Sequence, residues 1–226
     1  MIEQQVIDLN KKIIQEKLVV LTWGNASVYD RKNELVYIKP SGVDVHDMKP
    51  DDVAVVDLDN KHITGKKPSV DTPTHIELYK KFSISCIIHT HSLYGTVFAQ
   101  AKRSIPCLGT THADYFFGDI PVVEDLTLQN IDNDYEKNTG LSIIDYFFKN
   151  RIDHRAIPGC LAPLHGVFTW GSSPTHALEN AIVLEFAAKM AYKQMQFPDY
   201  TPSLFSDHLL KKHFLRKHGE DKYYGQ

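Results

Sequence analysis

SVYDRKNELVYI, the sequence of residues 27–38, decides the class of the fold because it places two short β-rich runs on either side of a turn. The runs 27–30 and 35–38 contain valine, tyrosine and isoleucine, which favour strands, and Lys32-Asn33 between them indicates a turn. A parallel crossover needs about a dozen residues or more, and this connection is far shorter. The two runs are therefore predicted to pair as antiparallel strands.

The rest of the chain mixes helical and strand patterns. Further strands are predicted at 18–22, 53–58, 85–91, 160–164 and 166–170. Helices are predicted at 3–17, 71–82, 92–102, 138–148, 173–197 and 206–218. No stretch has the composition of a linker. The sequence thus predicts a single α/β domain over residues 1–226, with a largely antiparallel sheet covered by helices.

Composition excludes several classes of protein. The 226 residues are 42% hydrophobic and 23% charged, which is typical of a soluble globular chain and not of a disordered or fibrous one. A net charge of −3 argues against a strongly basic nucleic-acid-binding protein. No apolar run approaches the roughly 18 residues of a membrane helix. We therefore expect neither a nucleic acid nor a membrane as a partner.

The cysteines and the first residues indicate the compartment. The three cysteines form no CxxC pair, which suits a reducing environment with unpaired thiols. The N-terminus lacks the basic region and the apolar region of a secretory signal. The sequence therefore predicts a cytoplasmic protein.

Histidine is unusually frequent, at 12 of the 226 residues, and this frequency directs attention to metal binding. His89 and His91 lie in the predicted strand 85–91, where residues i and i+2 project from one face, so both imidazoles can reach one ion. His165, also in strand-like sequence, is a third candidate ligand. Three neutral imidazoles leave a fourth position open, as in catalytic zinc sites. Spacing alone leaves open that His165 is a hydrogen-bonded interior histidine.

Other polar residues have both a functional and a structural interpretation. Asp114 is a candidate general acid or base, or else an aspartate that caps a turn. Asp71 is a candidate ligand that completes a metal shell, or else the N-cap of a helix. Gly24-Asn25 and the KPSG turn at 39–42 combine glycine, small polar groups and a lysine, and the N–H groups of such turns can bind phosphate.

Six segments together resemble the class II aldolase/adducin family, and the resemblance covers nearly the whole chain. The segments are LTWGNAS (21–27), IKPSGV (38–43), HTHS (89–92), GTTHADYFFGDIP (109–121), RKHG (216–219) and YYGQ (223–226). The GTTHADYF run and the YYGQ terminus are much more specific than the His-x-His pair. The resemblance implies the family's fold, a three-layer α/β/α domain with a largely antiparallel central sheet.

The resemblance also implies which residues form the site. The zinc-binding residues that it implies are His89, His91 and His165, with Asp71 against the metal. The substrate-binding residues that it implies are Gly24, Asn25, Ser41, Gly42, Ser69, Val70 and Asp71. One divalent ion is expected per subunit. Two positions depart from the family's pattern: Val70 stands where a second serine is usual, and Tyr94 where another histidine is frequent.

The catalytic pair that the resemblance implies is Asp114 and Tyr224, which would act as acid and base. Tyr224 resembles a residue contributed by a neighbouring subunit, and His213 falls where a histidine near that tyrosine is expected. The resemblance therefore implies a homotetramer with active sites at subunit interfaces.

The activity that the resemblance implies is the zinc-dependent epimerisation of C4 in a phosphorylated pentulose. The C3–C4 bond would break in a retro-aldol step, the aldehyde would turn over, and the bond would form again on the other face. The alternative is a class II sugar-1-phosphate aldolase that acts on L-fuculose or L-rhamnulose 1-phosphate. An adducin-like interaction module predicts a broken histidine set, and a metallohydrolase leaves the phosphate turns unexplained.

Overall fold

The hairpin predicted at residues 27–38 forms the middle of a seven-stranded sheet. The computed structural model describes residues 1–201 and 205–224; Gly225 and Gln226 of the terminal motif lie outside the described residues. The strands are β1 (Gly24–Asp30), β2 (Leu35–Ile38), β3 (Ala54–Asp57), β4 (His62–Thr64), β5 (Cys86–Thr90), β6 (Gly159–Ala162) and β7 (Gly166–Gly171). They lie in the order β4-β3-β2-β1-β5-β7-β6, and every adjacent pair is antiparallel. The predicted antiparallel sheet is confirmed.

Helices connect and cover these strands. They are α1 (Ile2–Gln15), α2 (Thr72–Lys81), α3 (Leu93–Gln100), α4 (Thr110–Ala113), α5 (Leu128–Asp132), α6 (Tyr135–Lys149), α7 (Pro174–Gln194) and α8 (Asp207–His218). The helix α7 begins as its sequence predicts: the Ser173 side chain accepts a hydrogen bond from the His176 N–H, and Pro174 occupies the first helical position. Within the described residues, no helix has the length and apolarity to cross a membrane.

The alternation of side chains along β5 explains the three layers. Ile87 packs into a core with Tyr79 of α2 and Phe147 of α6, on one face of the sheet. Its neighbour Ile88 packs on the other face, in a core that includes Ile7 of α1 and Ala181 of α7. Because successive residues of a strand point to opposite faces, each face is covered by its own pair of helices. The three-layer α/β/α fold is confirmed.

The segment 18–22 is the one predicted strand that the structure does not contain. It forms a turn-rich connection between α1 and β1. Lys17 and Leu21 have positive φ angles of 58° and 56°, a conformation that a strand cannot include. Local β propensity therefore predicts the wrong state here, because no neighbouring strand is available to pair with the segment.

Candidate functional site

Three histidines meet at one end of the central strands. His89 lies in β5, His91 follows it, and His165 directly precedes β7. Because β5 and β7 pair with His89 opposite Phe168, the sheet brings these distant parts of the sequence together. The ring centroids are 5.0 Å (His89–His91), 4.8 Å (His89–His165) and 4.9 Å (His91–His165) apart. We call this nearly equilateral triangle the three-histidine centre.

The geometry of the three-histidine centre fits a tetrahedral metal ion. One ligand nitrogen from each ring lies within 4.8 Å of the others, and the Nε2 atoms of His89 and His91 are 3.2 Å apart. Ligand nitrogens about 2.0–2.1 Å from a tetrahedral ion are about 3.3–3.4 Å from each other. His89 donates through Nδ1 to the Val167 carbonyl, 2.9 Å away, which leaves Nε2 unprotonated as a ligand.

The three imidazoles are neutral, as metal ligands must be. Burial lowers the pKa of His89 to about 3, although Asp71 nearby opposes the shift. Burial also lowers the pKa of His91 and of His165. Near neutral pH each ring therefore has one unprotonated nitrogen, and a metal can bind there without displacing a proton.

Asp71 lies beside the three-histidine centre. Burial raises its pKa, but the nearby His89 and His75 and a hydrogen bond from Asn25 outweigh it, so the pKa of Asp71 is lowered overall. The Asn25 Nδ2 donates to the Asp71 Oδ2 over 2.7 Å. Asp71 occupies the N-cap position of α2, yet its side chain makes no capping bond. Its carboxylate instead faces the histidines and Asn25.

The first turn predicted to bind substrate, Gly24-Asn25, lies directly beside the centre. Asn25 pairs with His89 across β1 and β5. Its side chain is only 3% exposed, and its Oδ1 has no hydrogen-bond partner among the described residues. Gly24 has a φ of 138°, and a Cβ there would lie 2.8 Å from the His89 carbonyl oxygen. The turn thus requires glycine and presents an unpaired buried acceptor.

The other predicted substrate-binding residues lie in two turns, Ser41-Gly42 and Ser69-Val70, which pair with each other. The Ser41 N–H donates to the Lys67 carbonyl over 2.9 Å, and the Ser69 N–H donates to the Lys39 carbonyl over 3.2 Å. The N–H groups of Gly42 and Val70 donate no hydrogen bond to any of the described residues. Unused backbone N–H groups on adjacent turns are a typical anion site.

Lys39 lies at the same turns and is absent from the site predicted from the sequence. Its side chain is buried, and Nζ donates to the Pro40 carbonyl over 3.3 Å. Burial lowers the pKa of Lys39, and Asp44 opposes that shift. The KPSG pattern at 39–42 places this lysine close to Ser41 and Gly42, so the sequence did indicate a cation at the predicted phosphate-binding turn.

Tyr135 is a second residue that sequence reasoning missed. Its Oη lies 3.4 Å from the Nδ1 of His165, the nitrogen that a ligating ring can turn away from the metal. No local motif marks this tyrosine, because its contact joins the start of α6 to a residue 30 positions away in the sequence. Tyr94, where the family often has a histidine, packs instead against Tyr192 of α7.

Asp114 and Tyr224, the predicted catalytic pair, meet in a second cluster. The Asp114 carboxylate accepts hydrogen bonds from Arg216 Nε (3.0 Å) and Nη2 (2.8 Å). His213 Nδ1 also contacts it, at 3.0 Å. The Arg216 guanidinium carbon lies 4.2 Å from the centroid of the Tyr224 ring. We call these four residues, Asp114, His213, Arg216 and Tyr224, the Asp114 cluster.

The Asp114 cluster lies at the opposite end of the sheet from the three-histidine centre. His218 donates through Nε2 to the Asp114 carbonyl over 2.8 Å, and His218 borders a cavity of about 380 Å³ together with Gly171. Gly171 ends β7, whereas Gly166, next to His165, begins it. Five residue steps of a strand span roughly 17 Å. Within one chain, the structure therefore does not bring the catalytic pair to the predicted metal ligands.

Comparison with known proteins agrees with this architecture. Residues 4–192 match the family model described as Class II Aldolase and Adducin N-terminal domain. The chain is 45% identical over 228 residues to the L-ribulose-5-phosphate 4-epimerase UlaF of Salmonella paratyphi A (strain ATCC 9150 / SARB42), covering 100% of this chain and 98% of that protein. It is 46% identical, with the same coverage, to the protein of that name from Salmonella paratyphi C (strain RKS4594).

A solved structure supports the fold independently. An L-fuculose 1-phosphate aldolase superposes with a TM-score of 0.78 over 94% of this chain and 93% of that one, at 24% identity. An identity this low supports the fold alone. The family match spans most of the chain, and the relatives at 45–46% identity span all of it. The chain therefore belongs to the class II aldolase and adducin family.

Proposed function

We propose that this protein is a zinc-dependent L-ribulose-5-phosphate 4-epimerase, which interconverts L-ribulose 5-phosphate and D-xylulose 5-phosphate. The full-length relatives named as epimerases support the isomerase class. The observation that carries the proposal is the three-histidine centre, in which neutral imidazoles converge beside Asp71 and the three turns. A divalent cation held there would supply a Lewis acid for the ketone oxygen of the sugar.

The chemistry requires that a carbon–carbon bond break. The hydrogen on C4 is not acidic, because C4 is not adjacent to the C2 ketone. Removal of the C4 hydroxyl proton allows the C3–C4 bond to cleave, and its electron pair remains on the dihydroxyacetone fragment as an enediolate. Glycolaldehyde phosphate then turns its aldehyde over. The electron pair attacks the other face, and a proton returns to the C4 oxygen.

The three turns keep the cleaved aldehyde in the site. We assign the phosphate to Gly42 and Val70 through their unused N–H groups, with Lys39 as the nearby cation. The unpaired Oδ1 of Asn25 can accept a hydrogen bond from a substrate hydroxyl. With the phosphate anchored, the aldehyde can rotate without diffusing away, so the second bond-forming step remains effectively unimolecular.

Asp114 and Tyr224 are assigned as the two groups that exchange the C4 hydroxyl proton from opposite faces. Because they lie together and away from the three-histidine centre of their own chain, we propose that both act at the centre of a neighbouring subunit. This differs from the expectation that only Tyr224 crosses between subunits. A homotetramer with four equivalent interfaces would contain four such shared sites.

Product analysis tests the reaction. The purified, zinc-loaded protein is incubated with L-ribulose 5-phosphate, and the sugars are identified by chromatography against standards. D-xylulose 5-phosphate supports the epimerase. Net release of dihydroxyacetone and glycolaldehyde phosphate, without xylulose 5-phosphate, would instead make the protein an aldolase.

Complementation between subunits tests the shared site. His89→Ala removes a proposed metal ligand, and Asp114→Asn removes a proposed acid/base; each variant alone should be nearly inactive. In hybrids co-expressed at equal levels, about a quarter of interface sites would combine an intact His89 with an intact Asp114 of the neighbour. Recovery of about a quarter of the wild-type activity supports the proposal. No recovery in hybrids of verified composition would place both groups in one subunit and contradict it.

A further inference from the structure

Arg216 contacts both proposed acid/base groups. Its guanidinium donates hydrogen bonds to both oxygens of the Asp114 carboxylate, from Nε to Oδ1 and from Nη2 to Oδ2. The same guanidinium lies over the ring of Tyr224. Its backbone carbonyl also accepts hydrogen bonds from the N–H groups of Tyr223 (2.9 Å) and Tyr224 (3.1 Å).

We propose that Arg216 is a positioning residue that presents Asp114 and Tyr224 as one rigid pair to the neighbouring subunit. This inference rests on the proposed function, because it concerns the groups assigned there to proton transfer. A planar guanidinium fork fixes a carboxylate in both distance and orientation, which a lysine ammonium cannot do. The pair therefore depends on the shape of Arg216 as well as on its charge.

The contacts of the Asp114 carboxylate define where a proton can be transferred. An ionised carboxylate has about four lone-pair positions. Arg216 Nε and His213 Nδ1 occupy Oδ1, and Arg216 Nη2 occupies one position on Oδ2. The described contacts thus leave a single position on Oδ2, the oxygen whose orientation Arg216 sets. The geometry assigns this position of Oδ2 to the C4 hydroxyl proton.

The position of Tyr224 depends on the same arginine. Tyr224 is 49% exposed and lies beyond the end of α8, so little packing holds it within its own chain. Its contacts with Arg216 are one backbone hydrogen bond and the stacking of the ring beneath the guanidinium. Because both contacts belong to the residue that orients Asp114, the distance between the two acid/base groups is set within one subunit.

A direct role for Arg216 in binding the substrate phosphate is the competing interpretation. The edge of the guanidinium that carries Nε and Nη2 is already bound to Asp114. Only the other edge, which carries Nη1 and the second N–H of Nη2, would remain for a bidentate phosphate. The two interpretations differ in the kinetic constant that a substitution changes, since lost phosphate binding raises KM and lost positioning lowers kcat.

A double-mutant cycle in the full-length protein tests the proposal. Arg216→Met should lower kcat by about 10²-fold and leave KM within about twofold. In the Asp114→Asn background the same substitution should cost clearly less than this 10²-fold, because only the part of the effect that acts through Tyr224 then remains. Arg216→Lys should restore less than about a tenth of the wild-type kcat, because lysine lacks the fork.

Lys211→Met is the matched control, since it removes an exposed cation from the same helix. All variants are compared by circular dichroism, zinc content and mass in solution. Additive losses in the cycle, a rise in KM with unchanged kcat, or full activity of Arg216→Lys would each overturn the inference while leaving the proposed function intact. Full activity of Asp114→Asn would instead refute the assignment of Asp114 itself.

Discussion

The three-histidine centre and the Asp114 cluster are held in place by different kinds of structure. His89 belongs to β5, which is paired on both sides by β1 and β7, and its ring is stacked on Phe168 at 4.2 Å. Asp114 follows the four-residue helix α4 and is oriented by side chains of α8. Backbone pairing between strands thus holds the three-histidine centre in place. The Asp114 cluster is held by side-chain contacts with residues near the end of the chain.

This difference determines how each region should respond to change. A ligand on a central strand can move only if the sheet is disrupted, so a substitution there removes the ligand and leaves the rest of the scaffold in place. A cluster held by one arginine fork and one stacked ring can lose its alignment while its members remain. We therefore expect all-or-none effects at the three-histidine centre and graded effects at the Asp114 cluster.

The largest effect is expected from His89→Ala. Substitutions that merely disturb the orientation of a ligand cost about 10–100-fold in metal affinity, so loss of the ligand should cost more than about 100-fold. The variant should contain little zinc after dialysis and should lose nearly all epimerase activity. Elemental analysis measures the zinc content, and product analysis with L-ribulose 5-phosphate measures the activity.

An exposed histidine provides the control for that prediction. His62 lies on the edge strand β4, and its Nε2 contacts the carbonyl of Thr64. His62→Ala should retain zinc and activity. Full zinc occupancy in His89→Ala would show that His89 is not a ligand. The expected all-or-none effect at the three-histidine centre would then be wrong.

A smaller effect is expected from Tyr224→Phe, which removes one hydroxyl from the Asp114 cluster. Loss of a general acid or base costs about 10²–10⁴-fold in rate. Zinc content should stay at the wild-type level, because Tyr224 is not among the proposed metal ligands. Measurement of kcat alongside elemental analysis separates the two effects.

Tyr223 is the matched control for Tyr224. It is the preceding residue in the chain, it is 62% exposed, and its ring lies 5.3 Å from Lys212 Nζ. Tyr223→Phe should keep near wild-type kcat. Equal losses in the two variants would mean that the terminal segment acts only through packing, and Tyr224 would have to be removed from the proposed mechanism.

Much of the fold could be predicted from sequence because the decisive signals are local. Short turns between β-rich runs predict antiparallel pairing, and the hairpin at 27–38 has that pairing, with Ser27 opposite Ile38. The failure at 18–22 has a physical cause: strand formation needs a partner strand, and propensity alone does not say whether one is present. The edge strand β4 was missed because it has only three residues, all exposed, which are too few to show a recognisable alternation.

The candidate site was predictable to a different degree in its two parts. His89 and His91 are two residues apart in one strand, so their convergence follows from strand geometry alone. Asp114 and Arg216 are 102 positions apart and meet through the packing of α8, which no local pattern encodes. The resemblance gave catalytic roles to Asp114 and Tyr224. Arg216 lies in the RKHG segment that carries the resemblance but received no role, because that role becomes visible only from its contacts.

The smallest predicted effect concerns the pH dependence of stability and involves the buried histidine two residues before Asp114. Burial lowers the pKa of His112 to about 4, although the hydrogen bond between its Nε2 and the Gly118 carbonyl opposes the shift. In the unfolded chain this pKa is about 6.5. As the pH falls below that value, the unfolded state takes up a proton that the folded state excludes.

The contribution of His112 to stability is therefore complete above about pH 6.5 and is lost as the pH falls toward 4, by about 2 kcal/mol at pH 5. His112→Gln retains an N–H donor for Gly118 but does not titrate. Urea unfolding at fixed protein concentration should show that this variant loses about 1–2 kcal/mol less than the wild type between pH 7.5 and pH 5. An identical pH dependence in both proteins would show that the folded protein takes up this proton as readily as the unfolded chain, and would contradict the prediction.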